Sequence, residues 1–421
     1  MDAHAAAPST HCRSIYSRSH RYGLPPFSSS PVHTEPLTLP RSDTNCWNNW
    51  IKDSKQQMVF CDKLRIPTFA AILSLFVCLL VSHGVATFKL PENVSIPAVI
   101  AFGDSILDQG NNNYIPTFIR ANFPPYGVNF LGAKATGRFT NAKTPVDLIA
   151  EKINVKEYVP PYLDPFIEDE DLITGVSFAS GATGLDPLTS TINMVIPMAD
   201  QLEMFSNYIR KLHGLVGKTE ANNIINNSLF LVATGSDDFV DDYFTYPMRR
   251  IQYDVSSYIN FLVSEASTFI QELHRLGARR VVVLSLPPVG CMPTSITVGG
   301  NKNRSCSTMH NKAAKLFNKK LSSELQSLRS QNPPVNVVFA DIYTPLLDIV
   351  KNPQSYGFEI VDRGCCGSGM VEVSWMCNAF GATCANVSNY LFWDSFHPTE
   401  KGYRIIVDNL LQRYANDVLR L

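Results

Sequence analysis

The chain has 421 residues, 45% of them hydrophobic and 17% charged, with a formal net charge of −1. That length is ample for a large core, in one big domain or two small ones. The balanced charge, with no basic block, excludes the electrostatic footprint of nucleic-acid binding, and the acidic run Glu168-Asp169-Glu170-Asp171 reads as a solvated loop.

In chain order, residues 1–57 are rich in Ser, His, Pro and Arg and lack sustained periodicity; they read as a disordered extension or a gene-model artefact. Met58 opens a different pattern: basic Lys63-Leu64-Arg65, an apolar run over 69–81, then small Gly84-Val85-Ala86. Residues 58–86 are expected to be a secretory signal peptide, because the run is short for a membrane span; a true extension ahead of the signal, or an uncleaved anchor, are the alternatives. The mature part, 87–421, is then expected outside the cell, in the extracellular space or cell wall, with no stable membrane span. Four of the ten cysteines precede the cleavage point. The other six, Cys291, Cys306, Cys365, Cys366, Cys377 and Cys384, form an even set, as disulfides in a secreted chain require. Cys291 with Cys306 is the simplest local loop, and the last four are expected to pair among themselves. No C-x-x-C spacing occurs, which argues against a metal site. Sequons stand at Asn93, Asn226, Asn303 and Asn386.

From residue 95 the pattern alternates strand and helix. Short continuous apolar runs at 99–102, 175–179, 229–233, 280–284 and 335–340 predict parallel strands covered on both faces. Between them, Ile259, Leu262, Val263, Ala266, Phe269, Ile270, Leu273 and Leu276 keep helical spacing and Gly277 closes the helix. Met309, Ala313, Leu316, Phe317, Leu321, Leu325 and Leu328 repeat the pattern, and a last helix after Thr399 faces Ile405, Ile406, Leu410 and Leu411 inward. Alternating β and α units predict one α/β domain with three α/β/α layers and a mainly parallel five-stranded sheet.

Ligands of open parallel sheets bind at the carboxyl ends of the strands. Three predicted strand ends carry polar, glycine-containing motifs: Gly103-Asp104-Ser105, Ser180-Gly181-Ala182-Thr183-Gly184 and Gly235-Ser236-Asp237-Asp238. A serine hydroxyl needs a base to take its proton and a carboxylate to orient that base. Asp394 and His397, three apart in Trp393-Asp394-Ser395-Phe396-His397-Pro398, supply both from one segment. The G-x-S-x-G elbow is absent, because Leu107 stands at its second glycine, so an ordinary α/β-hydrolase is disfavoured. Asp108 and Asn111, Asn112 and Asn113 read as residues that order the loop after Ser105, and Arg138 as a loop anchor. Trp375, Phe380 and Trp393 read as packing residues that could also border an acyl groove.

Over roughly residues 96–420 the chain resembles the plant GDSL esterase/lipase family, a branch of the SGNH hydrolases. The segments that carry the resemblance are Phe102-Gly103-Asp104-Ser105 with Asp108 and Gly110-Asn111-Asn112-Asn113, then Pro124-Pro125-Tyr126-Gly127, Thr136-Gly137-Arg138-Phe139, Val176-Ser177-Phe178-Ala179-Ser180-Gly181, Cys365-Cys366-Gly367 and the segment around Asp394 and His397. The resemblance implies a flavodoxin-like SGNH fold and a serine esterase acting on acyl lipids or small esters, without metal or organic cofactor. It implies Ser105 as nucleophile, His397 as base and Asp394 as its orienting partner. It also implies an oxyanion hole from the Ser105 and Gly181 backbone N–H groups and one side-chain amide. That amide is missing: the family's Gly-x-Asn-Asp reads Gly235-Ser236-Asp237-Asp238 here, so Asp237 stands at the asparagine position. An ionised carboxylate repels an oxyanion, and losing one donor costs about 2.7–4 kcal/mol elsewhere. An acyltransferase using the same acyl-enzyme, or a catalytically weak binding or structural member of the fold, are the alternative readings.

Overall fold

Residues 94–299, 303–331 and 336–420 are described by a computed structural model of the chain. The expected extension, signal peptide and sequon at Asn93 lie outside the described residues. Four of the apolar runs become strands: β1 (Val99–Gly103), β2 (Leu229–Ala233), β3 (Arg280–Leu284) and β4 (Asn336–Ala340), all parallel and side by side in that order. Every residue of β1, β2 and β3 is buried, as strands covered on both faces must be.

Side chains alternate across the sheet, which splits the core in two. On one face Ile100, Phe102, Phe230, Val232, Val281 and Val283 pack beneath four helices. These are α2 (Met198–Val216), α3 (Lys218–Asn227), α4 (Val255–Arg275) and α5 (Thr308–Gln331). On the other face Val99, Ala101, Leu229, Leu231, Val282 and Leu284 meet α1 (Pro145–Lys152), α6 (Tyr343–Lys351) and α7 (Glu400–Leu419). The result is the expected α/β/α sandwich. Local signals set the helix ends: Asp254 caps α4 by accepting the Ser256 and Ser257 N–H groups, and Gly277, with φ 111°, follows its last turn. Met309 departs from the predicted inward stripe of α5; in the helix's first turn it is more than half exposed.

The predicted second strand differs in a way that matters for the site. Residues 175–180 run parallel to the free edge of β1 but bridge it only at Ala101 and Ser177. The Ala101 N–H donates to the Val176 carbonyl (3.2 Å) and the Phe178 N–H to the Ala101 carbonyl (2.8 Å). The next ladder bond would run from the Gly103 N–H, but that group donates to Oε1 of the buried Gln201 (2.8 Å). The Gln201 Nε2 in turn donates to the Gly103 carbonyl (2.9 Å). One carboxamide thus takes the place of a single ladder bond, after which the Ser180 N–H again donates to the Gly103 carbonyl (2.9 Å). Counting this edge segment, the five-membered order is (175–180)-β1-β2-β3-β4. The neighbours of β1 lead away in opposite directions, which is the switch point where such sheets open a crevice.

A second, two-stranded parallel sheet, β5 (Ile360–Gly364) with β6 (Tyr390–Phe392), carries the C-terminal segment toward that crevice.

Candidate active site

The turn after β1 is built from a backbone contact. The Asp104 N–H donates to the Ala233 carbonyl at the end of β2 (2.9 Å), and Gly103 has φ 127°. A Cβ at Gly103 would stand 1.7 Å from the Ala233 oxygen, so only glycine fits. Ser105 follows and lines a cleft of about 340 Å³ whose walls include Phe139, Ala182, Asp237, Trp375, Phe396 and His397.

β6 runs directly into Trp393 and Asp394, and His397 follows within one turn. Its Nε2 lies 2.6 Å from Ser105 Oγ, and its Nδ1 lies 2.8 Å from Asp394 Oδ2 and 2.9 Å from Oδ1. The three sequence-predicted residues therefore meet in hydrogen-bonding order across 292 residues of chain. Asp394 is fully buried and well provided with donors. Its Oδ1 accepts the N–H groups of Phe396 (2.9 Å) and His397 (2.7 Å), and its Oδ2 accepts the Tyr126 hydroxyl (2.8 Å). Burial first, and then the Asp394 charge, push the Tyr126 phenol well above its ordinary range, so it remains a donor. The same hydroxyl accepts the Ser374 N–H (2.8 Å). Sequence reasoning noted Tyr126 only as part of a motif; nothing in a Pro-Pro-Tyr-Gly string announces a partner 268 residues away.

The opposite side of the cleft is acidic. Asp237 is 7% exposed and lines the cleft with Ser105 and His397. Burial, followed by the charges of Asp104, Asp241, Asp238 and Asp242, drives its carboxyl well above the usual range. Asp104 is pushed up to about 7 by burial; its Oδ1 accepts the Ile106 N–H (3.0 Å), while its buried Oδ2 has no hydrogen-bond partner among the described residues. Asp241 is likewise pushed up to about 7, by burial and then by Asp242. Asp238 is raised to about 7 by burial although it accepts from the Leu185 and Asp186 N–H groups and the Thr189 hydroxyl. Asp237 and Asp238 stand at the start of a π-helical stretch, Asp238–Thr245, that follows β2, and such wide turns are frequent at functional sites. Among the described residues, Arg249 pairs with Asp186 (2.6 Å), and no arginine or lysine is in an ion pair with Asp104, Asp237, Asp238 or Asp241.

The Gly181 N–H, the second oxyanion donor that the resemblance implies, donates to Asp108 Oδ2 (2.9 Å) and is occupied in this structure. Asp108 Oδ1 also accepts the Gly110 and Asn111 N–H groups (2.7 Å each). Asn111 Nδ2 donates to the Ser177 and Ala179 carbonyls, and Asn112 Nδ2 to those of Ile119 and Gly181. These residues tie the loop after Ser105 to the edge segment, as the sequence reading has it. Arg138 is buried against Asp147 in a two-pronged pair (Nε–Oδ2 2.7 Å, Nη2–Oδ1 2.8 Å), which makes it a loop anchor. Trp393 is fully buried and packs on Tyr126, Trp375 lines the cleft, and Phe380 is fully exposed. The disulfides are Cys291–Cys306, Cys365–Cys384 and Cys366–Cys377. Among the described residues, no group of three or more His, Cys, Asp or Glu is placed to hold a metal ion.

Residues 99–410 match the family described as GDSL-like lipase/acylhydrolase. The GDSL esterase/lipase EXL3 of Arabidopsis thaliana is 46% identical over 345 residues, covering 81% of this chain and 94% of that protein. A second GDSL esterase/lipase of the same plant is 48% identical over 338 residues, 80% of this chain and 91% of its own. Among solved structures, a catalytic mutant of an acetylxylan esterase from Geobacillus stearothermophilus covers 78% of this chain and 96% of its own, at 11% identity and a TM-score of 0.35. The family match spans the whole sheet and runs from before Ser105 to beyond His397, and the chain belongs to the GDSL-like lipase/acylhydrolase family.

Proposed function

We propose that the protein is a secreted serine esterase that hydrolyses carboxylic esters, of acyl lipids or of smaller alcohols, through an acyl-enzyme on Ser105. Family membership makes it a carboxylic ester hydrolase; the observation that carries the mechanism is the Ser105 Oγ–His397 Nε2–Asp394 chain, at 2.6 Å and 2.8 Å. His397 Nε2 takes the Ser105 proton as Oγ bonds to the ester carbonyl carbon. The imidazolium, held by Asp394, then gives that proton to the departing alcohol as the carbon–oxygen bond breaks. Water, deprotonated by the same nitrogen, attacks the acyl-enzyme and releases the acid and Ser105.

The oxyanion is received by the Ser105 N–H, by the Gly181 N–H once it turns from Asp108, and by Asp237 in its neutral form. A carboxylic acid donates a hydrogen bond as an amide does. Burial among other carboxyls supports the neutral form of Asp237, and an acid kept neutral by an apolar site is an established way to build such a donor. Exposed Asn226, Asn303 and Asn386 are accessible to glycosylation, and the three disulfides fit an oxidising compartment. Among the described residues no helix is long and apolar enough to cross a membrane. Residues 58–86 are read as the signal that directs export and 87–421 as the mature hydrolase.

A fluorophosphonate probe tests the reading. Wild-type protein is expected to be labelled at Ser105 and to hydrolyse soluble p-nitrophenyl esters, with both signals lost in Ser105→Ala. Folded wild-type protein that takes no label would instead favour the non-catalytic member of the fold, to which the Asp237 departure points.

A further inference from the structure

Residues 364–393 contain a single charged residue, Glu372, before Asp394. Its carboxylate is turned into the loop, where it accepts the Ser368 hydroxyl and the N–H groups of Ser368, Met370 and Val371. Between Met370 and Phe380 every residue that the loop exposes to solvent is apolar. Trp375 is 60% exposed, Phe380 is fully exposed, and Met370, Val371 and Met376 are each more than a third exposed. Phe118, 74% exposed, stands beside them, because the Ser374 hydroxyl bonds the Phe118 and Arg120 carbonyls (2.9 Å each).

Two features make this more than scattered surface hydrophobicity. First, it is continuous with the catalytic cleft: Val371, Trp375 and Met376 face solvent and also line the cleft that holds Ser105 and His397. Second, it is held in place. Cys365–Cys384 and Cys366–Cys377 staple the loop at both ends, so the apolar side chains cannot fold away. Contiguous apolar patches on soluble proteins mark interaction sites. A sugar-binding platform would expose polar donors along with its rings, whereas the residues exposed with Trp375 and Phe380 between 370 and 380 are methionine, valine and alanine.

We propose that this rim seats the enzyme on the surface of aggregated long-chain esters, so that an acyl chain passes from the aggregate to Ser105 without crossing a charged border. Phe118 and Phe380 enter the apolar phase, and Trp375 and Met376 form the passage. The choice of an ester surface rests on the esterase reading, but adsorption does not depend on catalysis and can be measured without it.

The experiment uses the full mature chain carrying Ser105→Ala, mixed with triolein droplets and floated by centrifugation. Most of the protein is expected to float, and adding Phe118→Ser with Phe380→Ser is expected to lower the bound fraction about ten-fold. In the active background, the same pair of substitutions is expected to leave kcat on a soluble short-chain ester unchanged and to reduce droplet hydrolysis in parallel with adsorption. Equal flotation of the two proteins overturns the proposal. So does retention on insoluble xylan in place of droplets, or a change of oligomeric state in ultracentrifugation that accounts for the loss of flotation. If flotation follows expectation while no fluorophosphonate labelling occurs, the surface stands and the esterase reading falls.

Discussion

The two sides of the cleft are built on opposite terms. On the side of Asp394 and His397, the carboxylate is met by two backbone N–H groups, a phenol and the imidazole. Across the cleft, Asp237 sits among buried carboxyls with no arginine or lysine ion-paired to it among the described residues, and the Gly181 N–H is spent on Asp108. In the proposed mechanism, the machinery that makes the nucleophile is assembled in advance, whereas the machinery that receives the oxyanion depends on a proton and on one hydrogen bond changing partner. The preorganised side is expected to set whether the enzyme works, and the proton-dependent side at which pH.

Breaking the preorganised side gives the largest effects. Ser105→Ala is expected to lower kcat for ester hydrolysis on the order of 10⁶-fold, with circular dichroism and melting behaviour retained. Asp394→Asn leaves the geometry but cannot favour the right tautomer, and a loss of about 10⁴-fold in kcat is expected near neutral pH. A loss below ten-fold would mean that Asp394 does not orient His397.

On the other side the sign reverses. A carboxyl with a raised pKa is neutral below it and ionised above it, so the native Asp237 loses its donor as pH rises, and Asp237→Asn does not. The variant-to-native ratio of kcat/KM is expected to climb with pH, toward roughly 10²-fold once Asp237 is ionised. A flat ratio would take Asp237 out of the oxyanion site. The same group of acids bears on stability. Asp104, Asp238 and Asp241 ionise near 7 in the folded protein and near 3.8 ordinarily. Their contribution is fully present below about 4 and is lost as pH rises through about 7. Melting temperature is therefore expected to fall between pH 5 and pH 8, and to fall less in Asp237→Asn.

The smallest effect sharpens the contrast from the preorganised side. Tyr126→Phe removes one donor to Asp394 and strands the Ser374 N–H, a buried group that costs about 1–3 kcal/mol when unpaired. A kcat lower by about ten-fold, with KM little changed, is expected; an altered KM alone would mean that Tyr126 only shapes the cleft.

Much of this was legible in the residues because the relevant signals are local. Parallel strands buried on both faces are apolar without interruption; β1 and β2 read that way from end to end, and β3 does from Val281 onward. Ser105 ends such a run, and Asp394 and His397 share one short segment, so their roles are visible as soon as the segments are set side by side. What stayed hidden depends on contacts between distant parts of the chain. Gln201 takes the place of one edge-ladder bond from a helix 98 residues after Gly103, and no periodicity encodes that. The Gly181 N–H is claimed by Asp108 from a different loop. Tyr126 reaches Asp394 only because the folded chain closes around it.

The Ser374 N–H rests on the Tyr126 hydroxyl, which rests on Asp394. The neighbouring Trp375 looks outward at the cleft mouth. The stapled loop that carries the exposed rim is thus moored, through two hydrogen bonds, to the carboxylate that holds the imidazole of His397.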